Sequence, residues 1–204
     1  MSFSKLPFKL EKQFRLKNWD YSSSGFYFVT ICTKDRSKIL WNSKFNFCVG
    51  TDHRVRSSIK DKIILLNNKD PYFYLSDFGK SCHRVWLNIP KKFENVILDD
   101  FIIMPDHIHG IIFIKHNYQE RTRWSVPTQF GNVGLLGEII RWFKTMTTNE
   151  YIKNVKQNNW PKFNKQIWQS RFYDRIIRSE KEFYIKKQYI KNNPENWQKD
   201  QENV

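Results

Sequence analysis

Residues 96–114 read VILDDFIIMPDHIHGIIFI, and this stretch decides the fold. Residues 96–104 and 108–114 are apolar runs of strand length, rich in the β-branched side chains that suit a pleated surface. Pro105-Asp106 between them is too short a gap for a crossover, so the two strands must pair antiparallel. Working outward, residues 75–89 place Leu75, Phe78, Cys82, Val85, Trp86 and Ile89 at three- and four-residue spacing. That spacing predicts one apolar helical stripe, stopped by Pro90. Downstream, Leu136, Ile139, Ile140, Phe143 and Met146 repeat the pattern and predict a second core helix.

The flanks complete the order. Residues 26–33, FYFVTICT, are aromatic and β-branched throughout, the composition of a central strand buried on both faces. Residues 167–177 read as a further strand, after which Ser179-Glu180-Lys181-Glu182 has the form of a capping box opening a last helix that ends at Pro194. Strand, helix, two strands, helix, strand, helix with antiparallel pairing predicts an α+β fold with a ferredoxin-like antiparallel sheet. The expected organisation is a basic N-terminal arm over 1–25, a single domain over 26–197 and a short tail over 198–204. Within the domain, about 39–74 reads as an inserted hairpin, and about 115–131, polar and without periodicity, as a mobile surface loop.

The 204 residues carry 35 Lys and Arg against 20 Asp and Glu, a formal net charge of +15. A polyanion is the natural partner of such a chain, because each phosphate it neutralises releases condensed counterions. Three cysteines, Cys32, Cys48 and Cys82, are an odd number without zinc or redox spacing, as expected of reduced thiols in the cytoplasm. No run approaches the ~18 apolar residues of a membrane span, so no membrane partner is expected.

His107-Ile108-His109 opens the second strand of the hairpin. Strand side chains alternate, so both imidazoles project from one face while Ile108 points to the other. Two convergent imidazoles suit a metal ion; a pair of buried structural histidines is the plainer alternative. In the last helix Tyr189 and Asn193 are one turn apart and share a face with Ile185. By themselves they read equally as a C-capping Asn beside a core Tyr, the more so because Pro194 disfavours α geometry at Asn193. Tyr184 and Gln188 have the same spacing on a face turned roughly 140° away.

Four segments together resemble a known family, the REP-associated tyrosine transposases of the single-tyrosine HUH superfamily. They are YSSSGFYFVTICT at 21–33, IMPDHIHGIIFI at 103–114, LGEIIRWFKT at 136–145, and residues 168–197 with WQSRFYDRIIR and YIKNNPENW. MPDHIHG joined to a later YIxNNP is a specific combination, and the four cover most of the chain outside 39–74 and 115–131. The resemblance implies an HUH endonuclease-type fold in which His107, His109 and Asn193 bind Mg²⁺ or Mn²⁺ and Tyr189 is the nucleophile. It further implies a DNA transposase that cuts and rejoins single-stranded or hairpin DNA through a 5′-phosphotyrosine. Arg171, Arg175 and Arg178 beside the last helix are candidates for phosphate contacts, and Trp124, Phe130 and Trp160 for stacking on unpaired bases. A non-catalytic nucleic-acid-binding module of ferredoxin-like fold is the alternative from another class. An HUH replication initiator or relaxase is a third, disfavoured by the lack of a second domain. Monomer and homodimer are both compatible with the sequence.

Overall fold

The structure, a computed structural model, describes residues 19–42, 74–115 and 134–202. Most of the expected basic arm, of the insertion at 39–74 and of the loop at 115–131, with Trp124 and Phe130, lies outside the described residues. Four strands, β1 (Gly25–Cys32), β2 (Val96–Ile103), β3 (His107–Ile114) and β4 (Tyr173–Ile177), form one sheet in the order β2-β3-β1-β4. Every neighbouring pair is antiparallel. With helices α1 (Asp77–Leu87) and α2 (Gly134–Gln157) in the two crossovers, this is the expected α+β, ferredoxin-like arrangement. A last helix, α3 (Glu180–Glu202), follows β4. No helix among the described residues is long and apolar enough to cross a membrane.

The strand alternation divides β3 between two jobs. Ile108, Gly110, Ile112 and Ile114 share one face, toward α1. His107, His109, Ile111 and Phe113 share the other, toward α3. On the α1 side the contact is closest at Gly110, where an added Cβ would stand 2.4 Å from Cζ2 of Trp86 and 3.2 Å from Cβ of Phe101. Trp86 is fully buried and wedged between Phe101 and Phe143, with ring centroids 5.6 and 5.5 Å away. It has nowhere to retreat. Gly110→Ala is therefore expected to destabilise the fold by about 3 kcal/mol and to lower the melting temperature by roughly 6–12 °C. An unchanged thermal melt would show that the ring can shift.

On the other side of the sheet α3 lays Phe183, Ile190 and Asn193 over the strands, with Phe183 edge-on to Phe26 at 4.9 Å. Lys187 ties the same helix to β2 through Asp99 at 2.7 Å. The capping box at its start is half formed. Ser179 Oγ accepts from the Glu182 N–H, but the Glu182 carboxylate takes the Arg178 N–H and the Arg175 guanidinium instead of closing back on Ser179.

Two sequence expectations need correction. Pro194 does not end the last helix, which continues to Glu202 with Asn193 inside it. An internal proline forfeits one i→i−4 hydrogen bond and costs about 3 kcal/mol; packing on both sides offsets this, with Ile190 and Asn193 buried before it and Trp197 against His107 after it. The expected strand over 167–177 shrinks to Tyr173–Ile177. Trp168 turns into the core, its Nε1 donating to Thr147 Oγ1 at 3.0 Å. The Lys144 ammonium takes the carbonyls of Gln169 and Arg171 at 2.7 and 3.0 Å. With these carbonyls turned toward the ammonium, the stretch keeps only the isolated Thr33–Trp168 bridge among the described residues.

Candidate active site

His107 and His109 sit side by side at the start of β3, ring centroids 4.5 Å apart, each only 5% exposed. Their Nδ1 atoms are already engaged. His107 Nδ1 is 2.6 Å from Asp106 Oδ1, and since a carboxylate only accepts, the ring donates there and its Nε2 is left facing away. His109 Nδ1 is 2.8 Å from Thr30 Oγ1, which reaches it from the paired position on β1. With the proton on Nδ1, the His109 Nε2 lone pair faces Tyr189, whose hydroxyl lies 3.4 Å away. The phenol ring stands edge-on to His109 and to Phe28, at 5.1 and 5.9 Å, and remains 41% exposed. Asn193, one turn further along α3, is buried. Tyr184 points elsewhere, 57% exposed and against Phe183.

The charges around this cluster are mostly positive. Lys186 holds its ammonium 4.7 Å above the Phe28 ring and 5.6 Å from the Tyr189 ring. Burial, reinforced by His107, Arg36 and Lys186, drives the His109 imidazole from its usual 6.5 down to about 2. His109 therefore stays neutral and keeps a lone pair to offer across the physiological range. Because the unfolded chain binds the proton that the folded ring refuses, stability is fully present above pH 6.5 and is lost as pH falls toward 2, by about 1.4 kcal/mol per pH unit. Denaturant melts at pH 7, 6 and 5 should show wild-type stability falling with pH, the fall approaching this slope only below about pH 6, and a weaker fall in His109→Gln. Equal slopes would place the acid sensitivity elsewhere.

An open groove of about 620 Å³ is lined by Phe28, Thr30, Tyr173, Arg175, Glu182 and Lys186 among others, of which Phe28 and Lys186 also touch Tyr189. Of the three arginines singled out in the sequence, Arg175 is paired with Glu182 at 2.5 Å, which spends much of its charge inside the protein. Arg171 and Arg178 are exposed. Trp160 packs against Tyr151 at 5.1 Å and belongs with the hydrophobic core. Among the described residues no group of three or more His, Cys, Asp or Glu is placed to hold a metal ion. The donor set that converges here is two imidazoles, with the amide of Asn193 buried on the helix that covers them.

The chain is 32% identical over 196 residues to an uncharacterized protein of Haemophilus influenzae, an alignment covering 93% of this chain and 91% of that one. The chain belongs to the same family as that protein. No protein-family model matches it. Among solved structures, this family member is similar to a REP-associated tyrosine transposase bound to a REP hairpin. That match has TM-score 0.49 and 14% identity, and covers 90% of this chain and 74% of that one. It is also similar to a Deinococcus radiodurans R1 protein described as a candidate transposase, at TM-score 0.39 and 14% identity, covering 87% and 97%.

Sequence reasoning missed four contributors to the site of this family member: Thr30, Asp106, Arg36 and Lys186. Asp106 could have been found, as a carboxylate adjoining a His-x-His pair. Thr30 could not, because its place opposite His109 depends on the register of two strands 79 residues apart.

Proposed function

We propose that this chain is a metal-dependent DNA transposase that cuts and rejoins single-stranded or hairpin DNA, with Tyr189 as nucleophile. The observation that carries this reading is the Tyr189 hydroxyl, exposed on a helix yet 3.4 Å from the free edge of the buried His109 ring. The donor chemistry fits a divalent cation. Both imidazoles have Nδ1 committed to an outer partner and Nε2 available, the pattern by which second-shell groups orient metal-binding histidines. His107, His109 and Asn193 would hold Mg²⁺ or Mn²⁺, which when bound supplies Lewis-acid polarisation of a non-bridging phosphate oxygen.

The chain's own groups do the rest. Tyr189 Oη attacks phosphorus and forms the phosphotyrosine bond as the bond from phosphorus to the 3′ oxygen breaks. The leaving 3′ oxygen takes a proton from water. The phenolic proton passes to solvent, to which the 41% exposed Tyr189 is open. The product is a 5′-phosphotyrosine and a free 3′-OH. One phosphoester has replaced another, so a second 3′-OH can reverse the step without ATP. Lys186, above Phe28 and beside Tyr189, brings positive charge to where the phosphate must arrive. The non-catalytic alternative loses support from α3, because a ferredoxin-like sheet that binds unpaired bases on its face needs that face open.

The test incubates the protein and Mn²⁺ with end-labelled single strands and hairpins taken from the DNA flanking its own gene. A labelled adduct that survives denaturing electrophoresis is expected. Binding of these hairpins with no adduct on any of them would overturn the enzyme reading in favour of a binding module.

A further inference from the structure

We propose that Arg36 is a positioning residue of the site, acting through Asp106 to fix the His107 ring for metal binding. The inference rests on the metal reading above. Asp106 is buried, and its two oxygens face two different partners: Oδ1 accepts from His107 Nδ1 at 2.6 Å, and Oδ2 pairs with Arg36 Nε at 3.0 Å. The guanidinium also donates from Nη1 to Cys32 Sγ at 3.0 Å, and Cys32 is the strand partner of His107. Arg36 thus grips both sides of the imidazole's base.

The backbone that delivers Arg36 is unusual. Asp35 and Arg36 both have positive φ, 54° and 55°, in a 3-10 turn directly after β1. Side-chain-bearing residues seldom enter this left-handed region, and for a long side chain such as arginine two in succession need an external hold. The hold is at hand. Thr33 donates its N–H to the Asp106 carbonyl at 2.9 Å, and its hydroxyl proton lies between that carbonyl at 2.9 Å and the Ser37 carbonyl at 2.8 Å, which closes the turn. The strained turn, the buried carboxylate and the first histidine form one unit tied across 70 residues of sequence.

A planar guanidinium suits this place because it can bind a carboxylate and a thiol at once with fixed geometry. If Arg36 were lost, Asp106 would keep a buried charge with only the imidazole to satisfy it. The carboxylate would then swing and the ring with it. Removing an outer-shell partner of a metal-binding histidine commonly weakens metal affinity about 10–100-fold.

The experiment compares wild type, Arg36→Gln, Arg36→Lys and Asp106→Asn. Mn²⁺ affinity is read by calorimetry, the visible absorption of bound Co²⁺ reports donor geometry, and thermal melts monitor the fold. Arg36→Gln and Asp106→Asn should weaken Mn²⁺ binding at least about tenfold and alter the Co²⁺ spectrum. Arg36→Lys, which keeps the charge but cannot hold Asp106 and Cys32 at once, should recover only part of the affinity. Wild-type affinity and spectrum in Arg36→Gln, whether or not its melting temperature falls, would reduce Arg36 to a structural tie and overturn the proposal. Arg36 is half-exposed, so its variants keep the question open to test even if Asp106→Asn does not fold. Wild type that binds neither ion would remove the metal reading, and this inference with it.

Discussion

Tyr189→Phe is expected to abolish the covalent DNA adduct while hairpin binding stays within several-fold of wild type. The substitution deletes one oxygen and keeps the ring, whose edge-on packing against Phe28 and His109 survives. The hydroxyl approaches His109 Nε2 at 3.4 Å, long for a hydrogen bond, so the cost to stability should stay below about 1 kcal/mol. The basic surface is untouched, and the dependence of binding on salt should be preserved. Tyr184→Phe is the control, because its ring packs on Phe183 away from the histidines and its adduct should form normally. Adduct formation by Tyr189→Phe together with its loss in Tyr184→Phe would transfer the nucleophile to Tyr184.

The second large effect concerns the metal. EDTA should eliminate nicking and adduct formation, and Mn²⁺ should restore both, while the melting temperature of the DNA-free protein moves little. The core around Trp86, Phe143 and the β3 isoleucines has no stake in the ion. Replacing both histidines should likewise eliminate cleavage. Glutamine is the better substitution than alanine, since both rings are buried and stacked on neighbours, and truncation would add cavities to the loss of ligands. Full adduct yield in EDTA would remove the metal from the reaction.

Much of this architecture is legible in the sequence because it follows from short-range rules. The gap at Pro105-Asp106 dictates antiparallel pairing, and the alternation across His107-Ile108-His109 puts both rings on one face. The helical spacing of Leu136 to Phe143 finds the start of α2. The parts that are not legible depend on competition or on distance. Pro194 obeys the local rule for breaking a helix, yet packing of Ile190 and Trp197 overrides it. The Ile167–Phe172 segment has strand-like composition, but Lys144 draws the carbonyls of Gln169, Ser170 and Arg171 to itself. Of the site, the histidines and the Tyr189 spacing can be read off, whereas Thr30 and Arg36 reach them only through strand register and an improbable backbone turn.

The division of β3 between its two faces has an evolutionary consequence. Along a strand, consecutive residues face different surroundings: Ile108 and Gly110 the packing beneath the sheet, His107 and His109 the cluster with Tyr189 above it. A lineage can therefore exchange His107 and His109 for side chains of similar volume with less harm to the scaffold than a change at Gly110 would do. The scaffold can drift at even-numbered positions only in concert with Trp86 and its neighbours. Gly110 thus tolerates less change than His109, because a group added beneath the sheet meets the buried Trp86, whereas one exchanged above it meets the exposed Tyr189.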